Sequence, residues 1–191
     1  MKNEKQLIIV IEGPSGVGKD AIMGGLVEKY PELFEKVPSM TTREMRDGES
    51  QGRPYYFVSV DEFKRQLNNG DIFESTVRHN TYRGMSRVYF DRVLYKNKFP
   101  LKDCDKVGLY ALRKEYGEKN VFGIFITCPK DVIEQRLIGR GETGESLKQR
   151  LSNYDEYINE YTHYNVSIEN IDLDKAIDDV YNVVKQYYES M

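Results

Sequence analysis

The chain is poor in the residues that build metal centres and disulfide frameworks: its 191 residues include two cysteines and two histidines. Cys104 and Cys128 each lie in or beside an apolar run and lack metal-ligand spacing. The sequence therefore excludes a zinc site and predicts reduced core thiols. His79 and His163 have no carboxylate or cysteine at a useful spacing and read as structural or surface groups. Long apolar runs are also missing. Behind the charged stretch Met1 to Gln6, the run Leu7 to Ile11 is far shorter than a signal segment or a membrane span, so the expectation is a soluble cytoplasmic protein with no membrane partner. Nor is there an excess of either charge. A net charge of −3 and a pI near 5.6 argue against a protein that coats nucleic acid, which needs a basic face. No internal repeat, low-complexity tract or Pro/Ser-rich linker divides the chain, whose length and 39% hydrophobic content suit one compact α/β unit.

What the sequence does have is concentrated at Gly13-Pro14-Ser15-Gly16-Val17-Gly18-Lys19. The apolar run before it reads as a strand, and Asp20 to Tyr30 reads as a helix with Ile22, Leu26 and Tyr30 on one face. Strand, glycine turn and helix form the context of a phosphate-binding loop. The glycines let the backbone curl so that successive N–H groups and the positive end of the helix surround an anion, and Lys19 supplies a mobile charge. Such loops usually close with Ser or Thr, whose hydroxyl ligates the Mg²⁺ carried by a nucleotide; here Asp20 closes it. A carboxylate is a hard ligand suited to Mg²⁺, and it is equally a residue that the helix dipole favours at this position. The sequence leaves both roles open.

Beyond the loop, strands are expected at Tyr55 to Val58, at Asp71 to Val77 and around Asn80 to Ser86, with a helix behind the capping box Ser59 to Glu62 that buries Phe63 and Leu67. A helix over Val88 to Tyr95 follows, then a weak strand at Phe99 to Asp105 that Pro100 and Lys102 argue against as an interior one. Val121 to Thr127 is a buried strand, Pro129 introduces a helix, and Gly139, Gly141 and Gly144 mark a loop before a helix over Glu145 to Glu160. Val166 to Ile168 and an amphipathic helix over Leu173 to Tyr188 close the chain. Alternating strands and helices behind a phosphate loop predict an α/β fold of the P-loop NTPase type, a parallel sheet covered by helices. The expected division is a core of residues 1–38, 88–136 and 161–191, an inserted lobe of residues 39–87 and a short lid of residues 137–160.

The stretch Thr41-Thr42-Arg43, Arg46, Gly48-Glu49, Gly52, Tyr55, Phe57-Val58-Ser59 and Glu62-Phe63 resembles the substrate lobe of the guanylate kinase family. The resemblance continues through Arg136-Leu137, Gly139-Arg140-Gly141 and Arg150-Leu151 to Asn170 and Leu173-Asp174-Lys175-Ala176, nearly the whole chain. It implies ATP and GMP as partners, Mg²⁺ as cofactor, and transfer of the γ-phosphoryl of ATP to GMP. It implies ATP binding by residues 13 to 20 and Asn170, that is Gly13, Pro14, Ser15, Gly16, Val17, Gly18, Lys19 and Asp20. On the acceptor side it implies that Ser39 holds the guanine, that Arg43, Arg46 and Tyr55 bind the GMP phosphate, that Glu74 reads the base, that Asp105 lies close to the base and the metal's water shell, and that Tyr82 and Arg83 belong to the same GMP site. Lys19 and the lid arginines Arg136, Arg140 and Arg150 would stabilise the transferring phosphoryl group.

The family's Tyr-Tyr-Gly-Thr-Ser run is here Tyr82-Arg83-Gly84-Met85-Ser86. Arg83 offers a phosphate ligand in place of a phenol, whereas Met85 cannot reproduce a hydroxyl contact to the base. The Gly-Lys-Asp ending also resembles ribose 1,5-bisphosphokinase, and guanylate-kinase-like modules that only bind proteins supply a third, non-catalytic reading.

Overall fold

A computed structural model of the chain describes residues 6–78 and 80–191. Met1 to Lys5 and His79 lie outside the described residues, so the readings of the N-terminus and of that histidine are not met by the structure.

Five strands form a parallel sheet in the order β2-β7-β1-β8-β9: β2 (Phe34–Lys36), β7 (Phe99–Asp103), β1 (Ile8–Glu12), β8 (Val121–Thr127) and β9 (Val166–Glu169). β1 is central because it is apolar on both faces. Ile9 and Ile11 pack with α1 (Lys19–Lys29) and α7 (Leu173–Ser190), while Ile8 and Val10 pack with α3 (Arg87–Leu94) and α4 (Lys106–Tyr116). The α1–α7 seam is close, with Tyr30 stacked on Tyr181 at 4.1 Å between ring centroids. None of the helices among the described residues is long and apolar enough to cross a membrane.

A second, four-stranded sheet in the order β4-β3-β6-β5 lies between β2 and α3 in sequence: β3 (Met40–Thr41), β4 (Tyr56–Phe57), β5 (Ile72–Arg78) and β6 (Thr81–Ser86). Helix α2 (Val60–Asn68) covers it and buries Phe63 with Met40 and Ile72. Ser59 caps this helix, its Oγ accepting from Glu62 N at 3.1 Å; the Glu62 carboxylate turns instead to Arg65 and Gln66. Leu67, expected beside Phe63, is 38% exposed, because one turn of contact fills the small lobe core. The helix expected over Val88 to Tyr95 is α3, whose buried face is carried by Phe90, Val93 and Leu94, with Val88 exposed.

The weak strand became an interior one. β7 pairs with both β2 and β1, and Pro100 is tolerated because the register with β1 begins only at Leu101. Helix α4 has no counterpart in the sequence expectations; Asp105 caps it by accepting from Gly108 N at 3.0 Å, and Gly117 ends it at φ 94°. The later part of the chain supplies α5 (Lys130–Gly139) and α6 (Gly144–Tyr157), the latter followed by a 3₁₀ turn at Ile158–His163.

Two glycines give opposite expectations. A Cβ on Gly84 would stand 2.7 Å from the Glu74 carbonyl oxygen and 3.0 Å from Phe63, whereas one on Gly24 in α1 meets nothing within 4 Å. Gly84→Ala should lower the melting temperature by about 2–12 °C, reflecting overpacking of about 1–3 kcal/mol. Gly24→Ala should raise it by a few degrees through helix propensity of about 1 kcal/mol. Thermal melts of the two variants check both signs.

Candidate active site

The loop expected from sequence joins the carboxyl end of β1 to α1, at the place where the chain leaves the central strand. In open α/β sheets this is where ligands bind. Its shape depends on two glycines. At Gly13 a Cβ would stand 2.3 Å from the Ile126 carbonyl oxygen; at Gly18, which precedes α1 with φ 100°, it would stand 2.5 Å from Asn170 Nδ2. Asn170 is buried and donates from Nδ2 to Val17 O at 2.7 Å, fixing the loop from below, while its Oδ1 has no partner among the described residues. Lys19 folds over the loop, donating from Nζ to Gly13 O and, at 3.3 Å, to Pro14 O.

The three arginines expected together take different positions. Arg150 on α6 reaches the mouth of the loop, with Nη1 2.5 Å from Ser15 Oγ and Nη2 3.1 Å from Glu142. Arg136 on α5 holds the rear of the loop, donating to Val17 O at 3.4 Å and to Ile171 O at 3.0 Å. Arg140 is exposed at the C-terminal end of α5. Ser15, Lys19 and Arg150 share a cavity of about 370 Å³ with Glu12, Tyr154 and Tyr157.

Glu12 is a residue that sequence reasoning passed over. It ends an otherwise apolar strand and is 7% exposed; burial holds its pKa above the ordinary 4.5, against the pull of Lys19 and with help from Asp103 and Asp105. A charged residue closing the run Ile8 to Ile11 was the signal for it.

Across the sheet end a larger cleft of about 670 Å³ is lined by Asp20, Lys36, Ser39, Tyr55, Arg83, Lys102 and Asp103, among others. Two guanidiniums stand over the Tyr55 ring: the Arg83 Cζ is 5.1 Å and the Arg43 Cζ 5.8 Å from its centroid. Arg43 is oriented by Glu49, whose Oε1 accepts from Nη2 at 2.7 Å while Oε2 accepts from Arg46 N at 2.8 Å. This makes Glu49, quoted in the lobe pattern without a role, the organiser of the arginine segment. Tyr82 and Arg83 point to opposite faces of β6. Tyr82 packs on Phe63 inside the lobe, so Arg83 alone of the pair faces the cleft.

Met85 is 3% exposed and packs with Phe90 and Leu109 beneath the lobe. Its register partner Glu74 is half-buried, with its pKa raised by burial first and by Asp105 next, and lowered by Lys102. Asp105 spends one oxygen on its helix cap. Asp20 is exposed in the first turn of α1, and Lys36 Nζ donates to its carbonyl at 3.3 Å. Among the described residues no three acidic, histidine or cysteine side chains gather into a metal cage. Mg²⁺ takes one or two carboxylates and fills the rest of its octahedron with phosphate oxygens and water, so a single carboxylate at the loop end fits that ion.

Fold and site together define a P-loop kinase of the nucleoside monophosphate kinase type, with a phosphate loop and an acceptor lobe facing one sheet end. The guanylate kinase family model matches residues 5–187. The chain is 35% identical to guanylate kinase of Symbiobacterium thermophilum over 91% of its length and 82% of the relative's. It is 33% identical to that of Helicobacter pylori strain J99 over 97% and 89%. The crystal structure of guanylate kinase from Anaplasma phagocytophilum superposes with a TM-score of 0.69 at 27% identity, covering 97% of this chain and 88% of that one. The chain belongs to the guanylate kinase family, and in general terms it is a phosphotransferase.

The buried Glu12 sets a pH dependence. A carboxyl whose folded pKa exceeds its unfolded value binds more protons when folded, so its contribution turns against folding as pH rises from about 4.5 through the raised value. Glu12→Gln should therefore melt higher than the parent at pH 7.5, and the gain should vanish at pH 4. Paired melts at the two pH values measure it.

Proposed function

We propose that the chain is a guanylate kinase that transfers the γ-phosphoryl of MgATP to GMP, giving ADP and GDP. The observation that carries this reading is the shared cleft: Asp20, at the end of the phosphate loop, lines the same cavity as Ser39, Tyr55 and Arg83 of the lobe. A donor phosphate on the loop and an acceptor phosphate on the lobe then meet at the carboxyl end of β1.

On this reading the backbone of residues 13–19 cradles the ATP phosphates, and Lys19 leaves the loop carbonyls to follow the migrating charge. Arg150 closes the loop mouth from α6. Asn170, expected at the ATP site, acts there by holding Val17 O and so the loop backbone. Arg43, Arg46, Arg83 and Tyr55 hold the GMP phosphate. Glu74 accepts from guanine N1–H and the N2 amine, with Ser39 and Asp105 completing the base site. The accepting phosphate oxygen is already anionic, so no side chain need act as a base, and catalysis comes from positioning and charge. Asp20 is the carboxylate that would hold Mg²⁺, directly or through water, and the ion would supply positive charge to the transferring phosphates. A cytoplasmic location belongs to the same proposal and is supported by the two free thiols.

The test is ADP production from MgATP with GMP, dGMP, AMP, UMP, CMP and ribose 1,5-bisphosphate as acceptors. Turnover confined to the guanine nucleotides is expected; turnover with the sugar phosphate alone, or with none, overturns the reading. In the same assay Arg43→Ala should raise the KM for GMP about 10- to 100-fold, the cost of a lost hydrogen bond between charged groups. An unchanged KM would remove Arg43 from the phosphate site.

A further inference from the structure

The lobe is anchored unevenly. Its β5 end is tied to the core by packing, with Phe73 set 5.8 Å from Phe90 and 6.1 Å from Tyr116 between ring centroids, and by Arg87 N donating to Asp71 O at 2.8 Å. The opposite edge is β4, a strand of two residues whose one neighbour in the sheet, among the described residues, is β3. So short an edge strand has little ladder of its own to hold it. It nevertheless positions groups that line the acceptor cleft: Tyr55 immediately precedes it, and Tyr56 N donates to Ser39 O at 2.9 Å. Where β4 lies therefore decides where Tyr55 and Ser39 lie.

A clasp from α3 meets that strand. The ring of Tyr56 stacks on that of Tyr89 with 3.7 Å between centroids and 7° between planes. Gly52 makes room for it, since a Cβ there would stand 3.2 Å from Tyr56 Cε1. Arg92, one helical turn beyond Tyr89, donates from Nη2 to the Tyr56 hydroxyl and holds its Cζ 5.4 Å from the Tyr56 ring centroid. Its guanidinium also stands 3.8 Å from the Glu35 carboxylate of β2, so the clasp ends on the core sheet. Tyr89 itself packs against two groups, the lobe cluster of Met40, Phe63 and Ile72 and the core cluster beneath the sheet. A stack, a cation and a hydrogen bond thus converge on one ring at the edge of the lobe that lacks other anchorage.

We propose that Tyr89 and Arg92 are positioning residues for the acceptor: through Tyr56 they fix β4 against the core and so set Tyr55 and Ser39 in place before GMP binds. The assignment rests on the guanylate kinase reading and deepens it by naming what holds the acceptor groups. An edge free to move would have to be ordered by the ligand, and that ordering is subtracted from affinity. The clasp therefore acts on the binding of the acceptor. The donor side is held separately, by Asn170 and by the packing of α7 along α1, and takes no part in it.

The test compares KM for GMP with KM for ATP in the parent, Tyr89→Leu, Tyr56→Leu, their double variant, Tyr89→Phe and Arg92→Met, with a thermal melt of each to establish that it folds. Tyr89→Leu should raise KM for GMP about 2- to 10-fold, the worth of an aromatic pair, and change KM for ATP less than about twofold. Tyr56→Leu should do the same, and the double variant should lose no more than the larger single loss, because one contact is broken once. Tyr89→Phe keeps the ring and should match the parent. Arg92→Met, which alters a half-exposed side chain, should raise KM for GMP about 2- to 5-fold and decides the question if Tyr89→Leu does not fold. Folded variants with an unchanged KM for GMP, or with both KM values raised alike, would reduce the clasp to a packing contact and overturn the proposal. Additive losses from Tyr56→Leu and Tyr89→Leu would show that the rings act separately and overturn it too. A parent inactive on GMP would overturn the guanylate reading and this assignment with it, whereas a parent active on GMP confines any failure to the clasp.

Discussion

The structure depends on keeping one turn of backbone open. Residues 13–19 must present N–H groups to an anion while the strand behind them and the helix after them are buried. Side chains would close that space: a Cβ at Gly13 meets the Ile126 carbonyl, and one at Gly18 meets Asn170. The neighbours therefore do the holding. β8 runs beside β1 over five paired residues, Asn170 and Arg136 both donate to Val17 O, and α7 packs along α1. The packed neighbours hold the loop backbone in place, and glycine at positions 13 and 18 permits their close approach.

Charge is arranged around that opening in balanced sets. Glu12 lies at the end of β1 beside Lys19, Asp103 holds Lys102, and Glu49 holds Arg43 and the Arg46 backbone. Glu49 and Asp103 each orient a cation, whereas Lys19 beside Glu12 is held by the loop carbonyls. The consequence is that Arg43 and Lys102 are held in fixed places around the cleft. The aromatic ring of Tyr55, with Arg43 and Arg83 over it, serves the same end by keeping two like charges at a fixed separation.

Much of the fold was legible. β1, β8 and α7 have long, clean periodicities, and they appear within a residue or two of where the pattern put them. β7 was harder to read, because Pro100 and Lys102 are poor interior residues by local rules. Pro100 escapes by standing ahead of the β1 register, and Lys102 by turning its ammonium to Asp103 and the cleft. α4 went unread because its cap, Asp105, looked like a ligand-binding acid and its apolar positions Leu109 and Leu112 are few. Glu12 and Lys102 were missed for a common reason: a single charge in an apolar run looks like a strand boundary or a flaw until the neighbouring strand shows what it faces.

By itself the sequence determined the phosphate loop, the strands and helices with clean periodicity, and the arginine-rich lobe segment, because these follow from local spacing: glycines at a turn, apolar residues at regular intervals, caps beside helices. Tertiary structure alone decided which side of the loop Arg136 and Arg150 each occupy, that Arg83 rather than Tyr82 faces the cleft, and that Met85 is buried beneath Glu74. Those outcomes depend on which strands pair and in what register. Because side chains alternate across a sheet, one residue of register separates a group that meets substrate from one that packs the core.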